Sequence, residues 1–87
     1  MDINRFYSNN LNDRMKIVNH SGEFIWRIKY YGFYINLYVV ESEFVEVYYN
    51  SHTNAIEDVE IIDCKEPRLA IYAGYVNISD VFNKTEL

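Results

Sequence analysis

Seven carboxylates (Glu41, Glu43, Glu46, Glu57, Asp58, Glu60 and Asp63) lie between Tyr30 and Cys64, a stretch that holds no Lys or Arg. Side chains of this type could perform acid and base work, hold a hard cation, or meet a basic partner. Acid–base catalysis needs a substrate pocket and a group to stabilise developing charge, and nothing near Glu46 and Glu60 reads as an oxyanion donor. Asp58, Glu60 and Asp63 suggest a cation site, but the oxygen-rich loop and turn glycine of a calcium hand are missing. His20 and His52 stand in separate turns beside Ser and Asn, too few and too far apart for a His-based metal or catalytic cluster. There is no phosphate-cradling glycine loop and no nucleophile elbow. The chain therefore reads as a non-enzyme without metal or cofactor.

Interleaved with the acids are Tyr30, Tyr31, Phe33, Tyr34, Tyr38, Phe44, Tyr48 and Tyr49. Tyrosine supplies a large contact area at low rotamer cost, and carboxylates guide a cationic partner to it. The net charge of −5 argues against nucleic acid or an anionic membrane as partner, since both demand a basic face. A basic protein is the natural counterpart. Tyrosines on a sheet can also stack RNA bases, but a phosphate chain laid over Glu46, Asp58 and Glu60 would be repelled.

A chain of 87 residues supports one core, so residues 1–87 are read as a single domain. Cys64 has no second cysteine to pair with. The opening MDINRFYSNNLNDRMK is too polar for a signal peptide, and no apolar run reaches the roughly 18 residues that cross a bilayer. A soluble, cytoplasmic protein is expected.

Periodicity assigns these side chains to helices and strands. Asp2 can cap a short helix with Ile3, Phe6, Tyr7 and Leu11 near one face, fading before Arg14. From Met15 the period changes to two. A two-residue loop at Tyr31-Gly32 pairs Tyr30 with Phe33, which sets Ile28 opposite Ile35, Trp26 opposite Leu37 and Phe24 opposite Val39 on one buried face. The other face receives Lys29 beside Tyr34, Arg27 beside Asn36 and Ile25 beside Tyr38. A Ser21-Gly22 loop extends the buried face backward, pairing Ile17 with Trp26 and Met15 with Ile28. An odd-length connection through Glu41, Ser42 and Glu43 buries Val45, Val47 and Tyr49, whereas a two-residue loop would drive Glu46 into the core. After a turn at Asn50–Asn54, Val47 meets Val59 and Val45 meets Ile61. Leu69 to Tyr75 reads as a fifth strand, and Ser79 caps a last helical turn through Phe82. The expected fold is α+β: a five-stranded, mainly antiparallel β-meander with a short N-terminal helix and a short C-terminal helical turn.

In this register the solvent-facing side runs from Lys16, Arg27 and Lys29 through Tyr34, Asn36 and Tyr38 to Glu46, Tyr48, Asp58 and Glu60. Glu46 and Glu60 lie opposite each other, where like charges destabilise a strand pair. The expected partner-binding residues are Tyr34, Tyr38, Glu46, Tyr48, Asp58 and Glu60. The competing reading is a solvated face, or one covered by the terminal helix.

The stretch Phe44 to Ile62, FVEVYYNSHTNAIEDVEII, resembles segments of small acidic immunity proteins of bacterial toxin–immunity systems. That resemblance implies a cytoplasmic protein that occludes a basic toxin domain, often a nuclease, and assigns no residue role. The expected function is a binding module that neutralises a basic, nucleic-acid-handling protein. Alternatives are a phage-type DNA-mimic inhibitor of a host defence protein and a homodimeric structural module joined through an edge strand.

Overall fold

The computed structural model describes residues 1–76. Its elements are α1 (Ile3–Ser8), α2 (Leu11–Ser21), β1 (Gly22–Tyr30), β2 (Phe33–Val40), β3 (Glu43–Asn50), β4 (Ile56–Ile62) and α3 (Leu69–Ala73). The fold is α+β, with four antiparallel strands lying side by side in chain order. The expected helical turn at Ser79–Phe82 lies outside the described residues.

Two segments expected as strands are helical. Met15–Ser21 belongs to α2, whose Asn10 side chain accepts from the Asp13 amide, a regular N-cap. Leu11, Met15 and Val18 recur at helical spacing, and Met15 and Val18 are buried. Leu69–Tyr75 contains α3, where Leu69 and Tyr72 fall three apart on one buried side. Among the described residues the sheet therefore has four strands instead of five, and Leu69–Tyr75 is not an edge strand over which two copies could pair.

At the junction of α2 and β1 the chain turns abruptly from helix to strand. A Cβ on Gly22 would collide with the Val18 carbonyl oxygen, so only glycine permits that approach.

The Tyr31-Gly32 hairpin has the expected register from Tyr30/Phe33 to Trp26/Leu37. Beyond Trp26 the strand bulges at Ile25, so Phe24 pairs with Tyr38 and not with Val39. The bulge exchanges the faces of the two side chains. Ile25 enters the core, while Phe24 is 52% exposed with its ring edge-on to Tyr38.

The β2–β3 connection is the short one: Val40 pairs with Glu43 across Glu41 and Ser42. Because side chains alternate, this one-residue difference from the expected loop inverts β3 and β4 relative to β2. Leu37 lies opposite Glu46 and Ile35 opposite Tyr48. Glu46 is driven into the core and is 0% exposed.

Both faces of the sheet are covered over part of their area. On one, Ile28, Ile35, Leu37, Val39, Phe44 and Ile62 pack with Leu69 and Tyr72 of α3. On the other, Val40, Val45, Val47 and Val59 pack with Phe6, Met15 and Val18 of α1 and α2. The outer edge of β4 is closed as well. Tyr7 Oη accepts from the Ile61 amide at 2.8 Å, and Arg14 Nη1 donates to the Val59 carbonyl at 3.3 Å. Such contacts remove the exposed backbone that invites edge-to-edge association.

Candidate functional site

Glu46 is the pivot of the α3-covered face. Arg68 donates to it from Nε, at 3.1 Å to each oxygen, and from Nη2, at 2.7 Å to Oε1. Tyr48 Oη donates to Oε1 at 3.0 Å and Tyr72 Oη to Oε2 at 2.9 Å. A buried carboxylate is tolerable only when its lone pairs are filled and its charge is paired, and here both conditions hold. The phenols respond to that charge. Burial and the adjacent carboxylate push the Tyr72 and Tyr48 hydroxyls well above the usual phenol range. The strand supplies the acid, and Arg68 with α3 arrives from the far end of the chain to satisfy it.

The next carboxylates along this face are not satisfied in the same way. Glu60 sits directly across from Glu46 and two residues from Asp58 on β4. Its carboxyl is held above the usual range, first by a hydrogen bond with Asp58, then by partial burial and by the charges of Asp58 and Glu46, with Arg68 opposing. Among the described residues Asp58 has one ion pair, a long one to Arg14, whose Nη1 stands 3.9 Å from Oδ1. Asp58 and Glu60, with Glu57, border a shallow cleft lined by Phe33 and Tyr48. Those two rings meet edge-to-face with centroids 5.7 Å apart. The cleft combines an aromatic wall with two carboxyl groups that repel each other, an arrangement suited to a cationic side chain.

The six expected site residues divide between the two faces. Glu46, Tyr48, Asp58 and Glu60 share one, and the Glu46/Glu60 pairing is as expected. Tyr34 and Tyr38 lie on the opposite face, with Arg27 over the Tyr34 ring at 5.0 Å and Phe24 beside Tyr38. The expected continuous solvent-facing stripe is therefore corrected: Glu46 is buried beneath α3, and Lys16 stands on α2 and not on a strand. Phe33 and Arg68 were not among the expected residues. Phe33 stands in the sequence among the aromatics of the acidic segment and as half of the hairpin's closing pair, but neither places it beside Tyr48 and Glu60, and nothing local to Arg68 discloses that it returns to Glu46.

Among the described residues no group of three or more His, Cys, Asp or Glu could hold a metal ion. No described helix is long and apolar enough to cross a membrane. No family model, curated protein or solved structure matches the chain.

Proposed function

We propose that this chain is a small acidic binding module, acting in the cytoplasm, that neutralises a basic, nucleic-acid-handling protein such as a nuclease toxin. The partner's Lys or Arg enters the cleft between Asp58 and Glu60, against Phe33 and Tyr48. The observation that carries this reading is the contrast between two neighbouring carboxyls. Glu46 has its own guanidinium, whereas Glu60 faces a second carboxyl and is pushed up in pKa by it. A cation supplied by a partner relieves that repulsion, favours the ionised form and releases a proton. The resemblance of Phe44 to Ile62 to immunity proteins points the same way.

Asp58→Asn with Glu60→Gln removes both charges while keeping side-chain size. Immobilised wild-type chain is expected to retain a basic protein from an extract of the source organism at low salt, and the double variant to lose it. Equal retention by both would reject the cleft as the binding site.

A further inference from the structure

Arg27 and Lys29 lie side by side on β1, on the face opposite Glu46, Asp58 and Glu60. Arg27 is fixed in place: its Nε donates to Asn36 Oδ1 at 2.7 Å, and its guanidinium lies over the rings of Tyr34 and Tyr49 at 5.0 and 5.2 Å. Lys29 Nζ stands 5.9 Å from the Tyr34 ring centre. Neither forms a salt bridge with a described residue, whereas Arg14, Lys16 and Arg68 all do. Arg27 and Lys29 are two apart on β1, so they share a face at a spacing of about 6.6 Å.

β1 is an edge strand of nine residues. Among the described residues no side chain hydrogen-bonds to its outer edge, in contrast to β4, where Tyr7 and Arg14 close theirs. An uncapped edge offers main-chain donors and acceptors to an added strand, and side chains opposite it set the register. On the other side of β1, Trp26 is 39% exposed and stacks on Tyr75, which is 61% exposed.

We propose that β1 receives an extended segment of a partner protein with carboxylates at alternate positions, which adds as a further strand and sets its acids beside Arg27 and Lys29. The residue between the acids points to the opposite face, toward Trp26 and Tyr75, and an apolar side chain fits there. Cross-strand neighbours in such a pair have Cβ atoms about 5 Å apart, within reach of a charge-assisted hydrogen bond.

Other occupants fit less well. Nucleic acid would need free ring faces, but Arg27 already covers Tyr34 and Tyr49, and the net charge of −5 repels a polyanion. A second copy would pair over the regular part of β1, beyond the bulge at Ile25, and antiparallel pairing there sets Arg27 beside the copy's Lys29. The copy's β4 is closed by its own Tyr7 and Arg14.

The test uses the full chain and a terminally blocked seven-residue peptide of alternating Glu and Val. Binding is expected to slow hydrogen exchange at the β1 amides that do not pair with β2 and to change the emission of Trp26, the one tryptophan of the chain. Arg27→Gln with Lys29→Gln should raise Kd at least tenfold, and Lys29→Gln, which leaves the Arg27–Asn36 contact alone, several-fold. The Asp58→Asn, Glu60→Gln variant should bind the peptide like wild type, which separates this site from the acidic cleft. The proposal is overturned by unchanged β1 exchange, by equal affinity of the Gln variants, by equal binding of an alternating Lys and Val peptide or a single-stranded oligonucleotide, or by sedimentation showing β1-paired dimers.

Discussion

Arg68 grips the Glu46 carboxylate through two nitrogens, with Nη2 at 2.7 Å from Oε1, and thereby fixes α3 over a sheet face that would otherwise bury an unpaired charge. Arg68→Ala should cost about 3 kcal/mol in chemical denaturation, toward the low end for a broken buried pair because Arg68 keeps some contact with water. Glu46→Leu with Arg68→Met should recover most of that loss. Additive losses in the double variant would show that the pair is not the anchor of α3. Glu46→Lys should unfold the protein.

The Tyr72 and Tyr48 hydroxyls predict an alkaline limit. Both titrate above their usual range in the folded chain, so as pH rises past about 10 the unfolded chain sheds phenol protons that the native state retains. The unfolded state then binds fewer protons, and stability falls with rising pH. Tyr72→Phe, although less stable at neutral pH, should show a shallower decline of denaturation midpoint above that point. An unchanged slope would mean that Tyr72 ionises in the native state as it does in water.

Much of the sheet was legible in the sequence. Tyr30/Phe33 to Trp26/Leu37 and Val47/Val59 to Val45/Ile61 follow from turn length and hydrophobic parity, and all of these pairs are present. The β2–β3 turn was not legible, because a buried Glu46 is costly until Arg68 and Tyr72 are known to reach it, and that contact spans more than twenty residues of chain. The same inversion separated Tyr34 and Tyr38 from Tyr48, Asp58 and Glu60. At Met15–Ser21, Met15 and Ile17 mimic strand alternation, while Leu11, Met15 and Val18 carry the helical period that prevails. Packing against Val45, Val47 and Val59 decides between them.

Tyr7 holds both the amide and the carbonyl of Ile61 at the sheet edge. Tyr7→Phe keeps the ring and removes the hydroxyl, leaving those groups to water or to another strand. A loss of about 1 kcal/mol is expected, with faster exchange at the Ile61 amide and greater concentration-dependent association in light scattering. Wild-type exchange at Ile61 in the variant would contradict the edge-capping role.

Tyr31 occupies the left-handed region at φ 52° and is 82% exposed. A non-glycine residue there is strained, and the phenol has little packing to compensate. Tyr31→Gly should therefore stabilise the hairpin by up to about 1 kcal/mol. A lower denaturation midpoint would show that its edge-on contact with Tyr30 outweighs the strain.

Whether Asp58 and Glu60 steer the partner is decided by the association rate between the chain and the basic protein it retains, measured as a function of ionic strength. For wild type the rate should fall steeply with salt, and for Asp58→Asn with Glu60→Gln it should be at least tenfold lower at low salt and nearly independent of salt. Equal rates and equal salt dependence for the two proteins, with the variant folded, would contradict that steering.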